Sequence, residues 1–137
     1  MPTSGKPFLD TNVLVYAIGG EPGRTPRAEA LLREGGVISV QVLNELAAVA
    51  HRKLKMPWPE VAEVLAAIRM LCPRPTPLTL ETHEQALDLA SRYGFHIDDA
   101  LIVAAALQAD CRRLYSEDLQ DGQVIGGLLI RNPFLDA

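Results

Sequence analysis

Cysteine is scarce. Cys72 and Cys111 stand far apart in the 137 residues and form no C-x-x-C pair, which argues against both a disulfide framework and a zinc site. The longest fully apolar run, Ala100–Leu107, falls far short of the ~20 residues a membrane helix requires. The opening stretch MPTSGKPFLD lacks the apolar core of a signal peptide, so the expectation is a cytoplasmic protein with no membrane contact. Basic excess is also missing. The formal charge of −4 argues against a generic nucleic-acid binder, since those tend to be basic. His51, His83 and His96 are scattered without a ligand spacing, and the chain has no internal repeat or low-complexity tract.

The length and a hydrophobic fraction of 48% predict one domain over residues 1–137, with residues 1–6 as a flexible N-terminal segment. Short apolar runs alternate with helical patterns. KPFLD reads as a first strand and TNVLVYAI as a helix ended by Gly19-Gly20. TPRAEALLREGG has Thr25 as cap, Pro26 at the first helical position and a glycine stop. VISV is a second strand, and the helix after it ends in the basic stretch HRKLK, which suits the helix dipole. PWPEVAEVLAAIRMLC is a further helix, with Trp58, Val61, Val64, Leu65 and Ile68 expected in the core. PRPTPLTL combines a linker with a third strand; ETHEQALDLASRYG is a helix stopped by Gly94. HIDDALIVAAALQAD is the most apolar helix, RRLYS a strand, GGLLIRN a last short strand, and NPF a turn anchored by Phe134. This alternation predicts an α/β fold with a parallel sheet covered on both faces. Ligands of such sheets bind beyond the carboxyl ends of the strands.

That rule makes the acids informative. Asp10 ends the first strand, and Ser116, Glu117 and Asp118 end the strand RRLYS. On its helix, Glu45 lies about 40° from Val49 and about 60° from Val42, at the border of the buried stripe. Asp98 and Asp99 open the most apolar helix and point about 100° apart, which predicts different jobs for them. Each acid alone has a plain explanation: Asp10 or Thr11, and Asp98 or Asp99, as helix caps, Glu45 as a rim salt bridge, SED as a turn. Together, acids from four segments are predicted to converge on one sheet edge, where carboxylates sharing a pocket resist ionisation unless a positive charge offsets them. No Lys or Arg is next to Asp10, Glu45, Asp99 or Asp118 in sequence. Oxygen donors without His or Cys favour magnesium or manganese over zinc. With four of the 17 acids assigned to such a site, the remaining acids balance the 13 Lys and Arg.

The motifs LDTNVLVY, NEL in an apolar helix, DALIVAAAL and LYSEDLQDGQVIGGLLIRNPF closely resemble PIN-domain ribonucleases, in particular VapC-type toxins of toxin–antitoxin pairs. The likeness runs from Phe8 to Phe134 in the family's order. It implies a three-layer α/β/α fold with a short parallel sheet and Mg2+- or Mn2+-dependent cleavage of RNA. It further implies a homodimer and a cognate antitoxin that blocks the active-site groove. Matched motif by motif, the acidic positions of the family fall on Asp10, Glu45, Asp99 and Asp118. Asn12 and Ser116 fall on accompanying polar positions that hold a water or steady a carboxylate. Asp98 stands where relatives often carry an aromatic or apolar residue. Asp99, directly before ALIVAAAL, is therefore assigned to the metal and Asp98 to capping. The stretch from Gly19 to Pro26 departs from the family pattern.

Arg52, Lys53, Lys55, Arg112 and Arg113 are candidates for RNA backbone contacts, with solvated faces or favourable helix ends as their plain alternative. The same residues bear on other functions. A haloacid-dehalogenase-type phosphatase needs a second Asp where Asn12 stands, and a response-regulator receiver needs paired acids and a later Lys. The alternatives within the superfamily are a stand-alone RNA-processing nuclease, a DNA flap nuclease, and a catalytically inactive PIN-like binding protein.

Overall fold

A computed structural model describes residues 5–135. Its strands are β1 (Phe8–Leu9), β2 (Arg113–Tyr115), β3 (Val124–Ile125) and β4 (Leu128–Arg131), in the spatial order β1-β2-β4-β3. β1 and β2 pair in parallel, as do β2 and β4, while β3 and β4 form an antiparallel hairpin. Helices α1 (Thr11–Gly19), α2 (Thr25–Glu34), α3 (Val40–Arg52), α4 (Trp58–Leu71), α5 (Leu80–Tyr93) and α6 (Ile97–Gln108) complete a three-layer α/β/α fold. α1 packs on α2 and α3, α3 also on α4 and α6, and α5 on α6.

The side chains of Phe8, Leu9, Leu114, Leu128 and Ile130 are fully buried at the centre. Strands this apolar suit a sheet covered on both faces. α6 is buried over Ala100 and Ile102–Ala106, so helix packing explains its lack of a polar face. Small residues there let neighbouring backbone approach closely.

The expected second and third strands are reduced to single bridges, Phe8↔Val37 and Ser39↔Thr76. The extended segments exist: Leu9 N–H donates to the Val37 carbonyl, and Thr76 N–H to that of Ile38, both at 2.9 Å. The first is cut short because Ser39 already caps α3, its hydroxyl accepting from Val42 N–H. The second is cut short because Pro73, Pro75 and Pro77 flank Thr76, and proline has no N–H for a ladder. β3 was not anticipated. Its signal is VIGGLLI, in which Gly126 and Gly127 take φ of 53° and 86°, the backbone demanded by a two-residue hairpin loop.

Smaller corrections concern helix starts. Arg24, not Thr25, is the residue before α2, and the Thr25 hydroxyl donates instead to the Tyr16 carbonyl. The residue before α6 is His96, so Asp98 is not a cap; it and Asp99 both lie in the first turn, where negative charge favours the helix dipole. Trp58 is not core. At the first position of α4 it is 57% exposed and stacks on His51 with ring centroids 3.9 Å apart, whereas Val61 and Ile68 are buried. Phe134 is buried as expected, edge-on to Tyr16 at 5.1 Å. Cys72 and Cys111 are buried and not joined in a disulfide. Of the N-terminal segment expected to be flexible, residues 1–4 lie outside the described residues, whereas Lys6 Nζ donates to the Glu34 carbonyl and Arg113 to that of Gly5. Among the described residues no helix is long and apolar enough to cross a membrane.

Gly36 marks the closest approach beside β1. A Cβ there would lie 2.7 Å from Cγ and Cδ1 of the fully buried Leu9 and 3.1 Å from the Pro7 carbonyl. Gly36→Ala is expected to destabilise the fold by about 1–3 kcal/mol, the usual cost of overpacking. Urea unfolding measures this, and an unchanged midpoint would contradict the packing described.

Candidate active site

β1 and β2 run in parallel, so their carboxyl ends share one sheet edge. Asp10 follows β1 and Ser116 follows β2. The Asp10 N–H donates to the Tyr115 carbonyl at 3.0 Å, and the Ser116 N–H to that of Arg131 at 3.0 Å. These backbone bonds set the two side chains side by side. The Ser116 hydroxyl donates to Asp10 Oδ2 at 2.7 Å, and the Thr11 N–H to Asp10 Oδ1 at 2.6 Å. Asp10 is thus the N-cap of α1 as well as a member of this cluster.

Asn12, in the first turn of α1, ties the cluster together. Its amide nitrogen reaches Asp10 Oδ2 at 3.4 Å, the Ser116 hydroxyl at 3.4 Å and Asp118 Oδ2 at 3.2 Å. Its oxygen accepts from the Glu117 N–H at 3.2 Å. Ser116 also accepts from the Asp118 N–H at 3.1 Å, which closes the turn 116–118. Glu45 joins through α3: Thr11 donates to its Oε1 at 2.7 Å, and Gln41, one turn earlier, to its Oε2 at 2.9 Å.

The electrostatics follow from this crowding. Asp10 is only 3% exposed. Its pKa is pushed up to about 7 by burial, with the charges of Asp118 and Glu45 adding to the rise and the Ser116 and Thr11 hydrogen bonds opposing it. Asp99 is half-buried, and its pKa is raised by burial and then by Asp118 and Glu45. The charges of Asp118 and Glu45 thus bear on both Asp10 and Asp99. Asp98 is exposed and lines the groove beside them.

The groove holds about 480 Å³ and is lined by Thr11, Asn12, Tyr16, Glu45, Asp98 and Asp118, with Arg52 and Lys53 at its border. Lys55 is not among its lining residues. Arg112 precedes β2 and Arg113 begins it, at the strand end opposite Ser116, and Arg113 donates to Tyr115 and to the Gly5 carbonyl. Among the described residues no three His, Cys, Asp or Glu side chains form a ready-made group able to hold a metal ion. The donors form an open acidic rim around one buried carboxylate.

Several residues here escaped sequence reading. Thr11 and Gln41 were detectable, one adjacent to Asp10 and the other one helical turn from Glu45. Tyr16 and Arg24 were not; the strand-end position of Glu117 is legible in the sequence, its partners are not. Glu117 accepts hydrogen bonds from the Tyr16 hydroxyl and from Arg24 Nε, the latter at 2.6 Å. Burial opposes ionisation of Glu117, but the Tyr16 and Arg24 hydrogen bonds and the Arg24 charge outweigh it and lower its pKa. The Tyr16 hydroxyl is correspondingly pushed up to about 12, chiefly by its hydrogen bond to Glu117.

The PIN domain family model matches residues 8–120. Among solved structures, VapC20 of Mycobacterium tuberculosis, a sarcin-ricin-loop-cleaving toxin, superposes with a TM-score of 0.67 at 23% identity, over 81% of this chain and 88% of that one. A toxin–antitoxin complex from Klebsiella pneumoniae gives 0.69 at 19% identity, over 93% and 97%. VapBC2 from Rickettsia felis, bound to a promoter DNA fragment, gives 0.65 at 19% identity, over 91% and 96%. A search of curated proteins by sequence finds no match.

An acid whose native pKa lies above its unfolded value stabilises the fold fully below the unfolded pKa and ceases to do so as pH rises through the native one. For Asp10 that window runs from its ordinary 3.8 to about 7. With chelator present, Asp10→Asn should gain stability relative to the wild type across this range, by up to about 4 kcal/mol. Unfolding both proteins at a series of pH values measures the gain, and a pH-independent difference would contradict the perturbed carboxyl.

Proposed function

Because the chain belongs to the PIN-domain family, we propose that it is a metal-dependent endoribonuclease, the toxin of a toxin–antitoxin pair, acting at the groove beside Asp10. One observation carries this reading: the Asp10 carboxyl, buried and hydrogen-bonded by Ser116 and Thr11, stands at the sheet edge where ligands bind. Its pKa is raised by burial and further by the charges of Asp118 and Glu45. Such a group calls for a positive charge, and no Lys or Arg forms an ion pair with it among the described residues. The donor set suits a hard divalent cation, Mg2+ or Mn2+, because it is made of carboxylate and hydroxyl oxygens without His or Cys.

Asp10, Glu45, Asp99 and Asp118 would hold that ion. When bound, it supplies charge compensation at a phosphoryl group and an acidified water. The chain's own residues do the rest. Ser116 and the Thr11 N–H fix the Asp10 carboxylate from two sides. Asn12 spaces Asp118 from Asp10, and Thr11 with Gln41 hold the Glu45 carboxylate at the rim. Glu45, partly buried, lining the groove and oriented by Thr11 and Gln41, would also help to orient an attacking water. Arg52 and Lys53 at the border offer positive charge to the RNA backbone, so the negative net charge is no obstacle. The toxin assignment and an antitoxin partner are supported by likeness to VapC20 and to the two toxin–antitoxin complexes, and a homodimeric state is proposed with them on the family resemblance alone.

Asp10→Asn and Asp118→Asn are each expected to lower RNA cleavage at least ~100-fold, a loss of about 2.7 kcal/mol of transition-state stabilisation. Chelation should abolish cleavage by the wild type and Mg2+ or Mn2+ restore it. Cleavage that survives either treatment in a nuclease-free preparation would refute the proposal. Replacing Arg52 and Lys53 by Ala should weaken RNA binding across sequences and reduce the slope of log affinity against log salt by ~0.7 per lost phosphate contact. An unchanged slope removes these two residues from the account.

A further inference from the structure

Glu117 stands between Ser116 and Asp118, yet its carboxylate turns away from the acidic rim. It accepts from the Tyr16 hydroxyl on α1 and forms an ion pair with Arg24 Nε at 2.6 Å, both outside the proposed metal site. The Arg24 guanidinium also lies 5.2 Å from the Tyr16 ring centroid and 6.0 Å from that of Phe134. Tyr16 and Phe134 meet edge to face. The turn 116–118 is therefore gripped on two sides: Asn12 holds the Glu117 N–H and the Asp118 carboxylate, while Arg24 and Tyr16 hold the Glu117 side chain. The Asp118 N–H itself has one bond, to the Ser116 hydroxyl, so the outer grip acts on it through the position of Glu117.

We infer that Arg24 and Glu117 are positioning residues, a latch that fixes Asp118 in register with Asp10 for cation binding. The inference rests on the metal-site reading proposed above. It also gives a role to the stretch from Gly19 to Pro26, whose sequence departs from the family pattern. That loop contributes Arg24, a planar fork suited to a carboxylate and to stacking on aromatic rings. The latch leaves Glu117 satisfied by two donors, so Asp118 is the acid of this turn left facing the groove.

The test measures two quantities in wild type, Arg24→Ala, Glu117→Gln and the double variant. Amide hydrogen exchange, in chelator, reads the order of the turn. The Glu117 and Asp118 amides bond to side chains and not to a ladder, so loss of the latch should speed their exchange about tenfold and leave that of β2 and β4 unchanged. Mn2+ calorimetry reads the site, and each single variant should bind about tenfold more weakly. The double variant should bind no more weakly than the weaker single one, as expected for two residues acting through each other. A merely structural pair would lower the melting temperature and leave Mn2+ affinity at the wild-type value; that result overturns the latch, whatever the exchange rates. Absence of Mn2+ binding by wild type would overturn the metal reading, and the latch with it. Binding with the expected losses, but no RNA cleavage by wild type, would uphold the latch and reject the choice of substrate.

Discussion

The burial of the Asp10 carboxyl among further acids is the constraint on which the rest depends. A carboxylate removed from water, with two further acids acting on it, is unfavourable by itself. The fold nevertheless commits β1, β2 and α1 to keeping it there. The parallel pairing of β1 with β2 fixes the neighbours of Asp10. The start of α1 supplies a backbone N–H and Asn12, and the turn after β2 supplies Ser116 and Asp118. Destabilised groups held by an over-determined scaffold are characteristic of functional sites, and the surrounding hydrogen bonds orient the carboxyl without neutralising it.

A division of labour among acids follows. Glu117 has its positive partner within the protein, in Arg24. Asp10 has donors but no cation among the described ion pairs, and Glu45 has a hydroxyl and an amide. Asp98 and Asp99, adjacent in sequence, part company by burial: the first is exposed and lines the groove, whereas the second is half-buried and not among its lining residues. Their differing environments suit the different jobs expected from their angular separation. Capping is not one of them, because α6 begins at Ile97 and its dipole is served by both acids in the first turn.

Legibility in the sequence tracked how local the determining physics was. Asp10 and Ser116 were expected together because strand ends in a parallel sheet share an edge, a consequence of chain direction alone. Glu45 was expected at the border of a buried stripe because helical angles depend only on spacing. The bridges at Val37 and Thr76 were overestimated as strands because Ser39 capping and three prolines compete with the ladder. β3 was overlooked because each arm of its hairpin is so short that the Gly126-Gly127 turn carries most of the signal. Trp58 was misassigned because an apolar side chain at the first position of a helix need not lie on the helix's buried stripe. The pairing of Arg24 with Glu117 was illegible for a different reason: the two are 93 residues apart, and no periodicity links them.

The central claim concerns one carboxyl, and it can be measured directly. Protein carrying carbon-13 in its aspartate carboxyls can be titrated by NMR, with chelator and again with saturating Mg2+. The account expects Asp10 to titrate near 7 without the ion and well below that value with it. An Asp10 that titrates near the ordinary value of 3.8 in chelator, or one that Mg2+ does not move, would contradict the account.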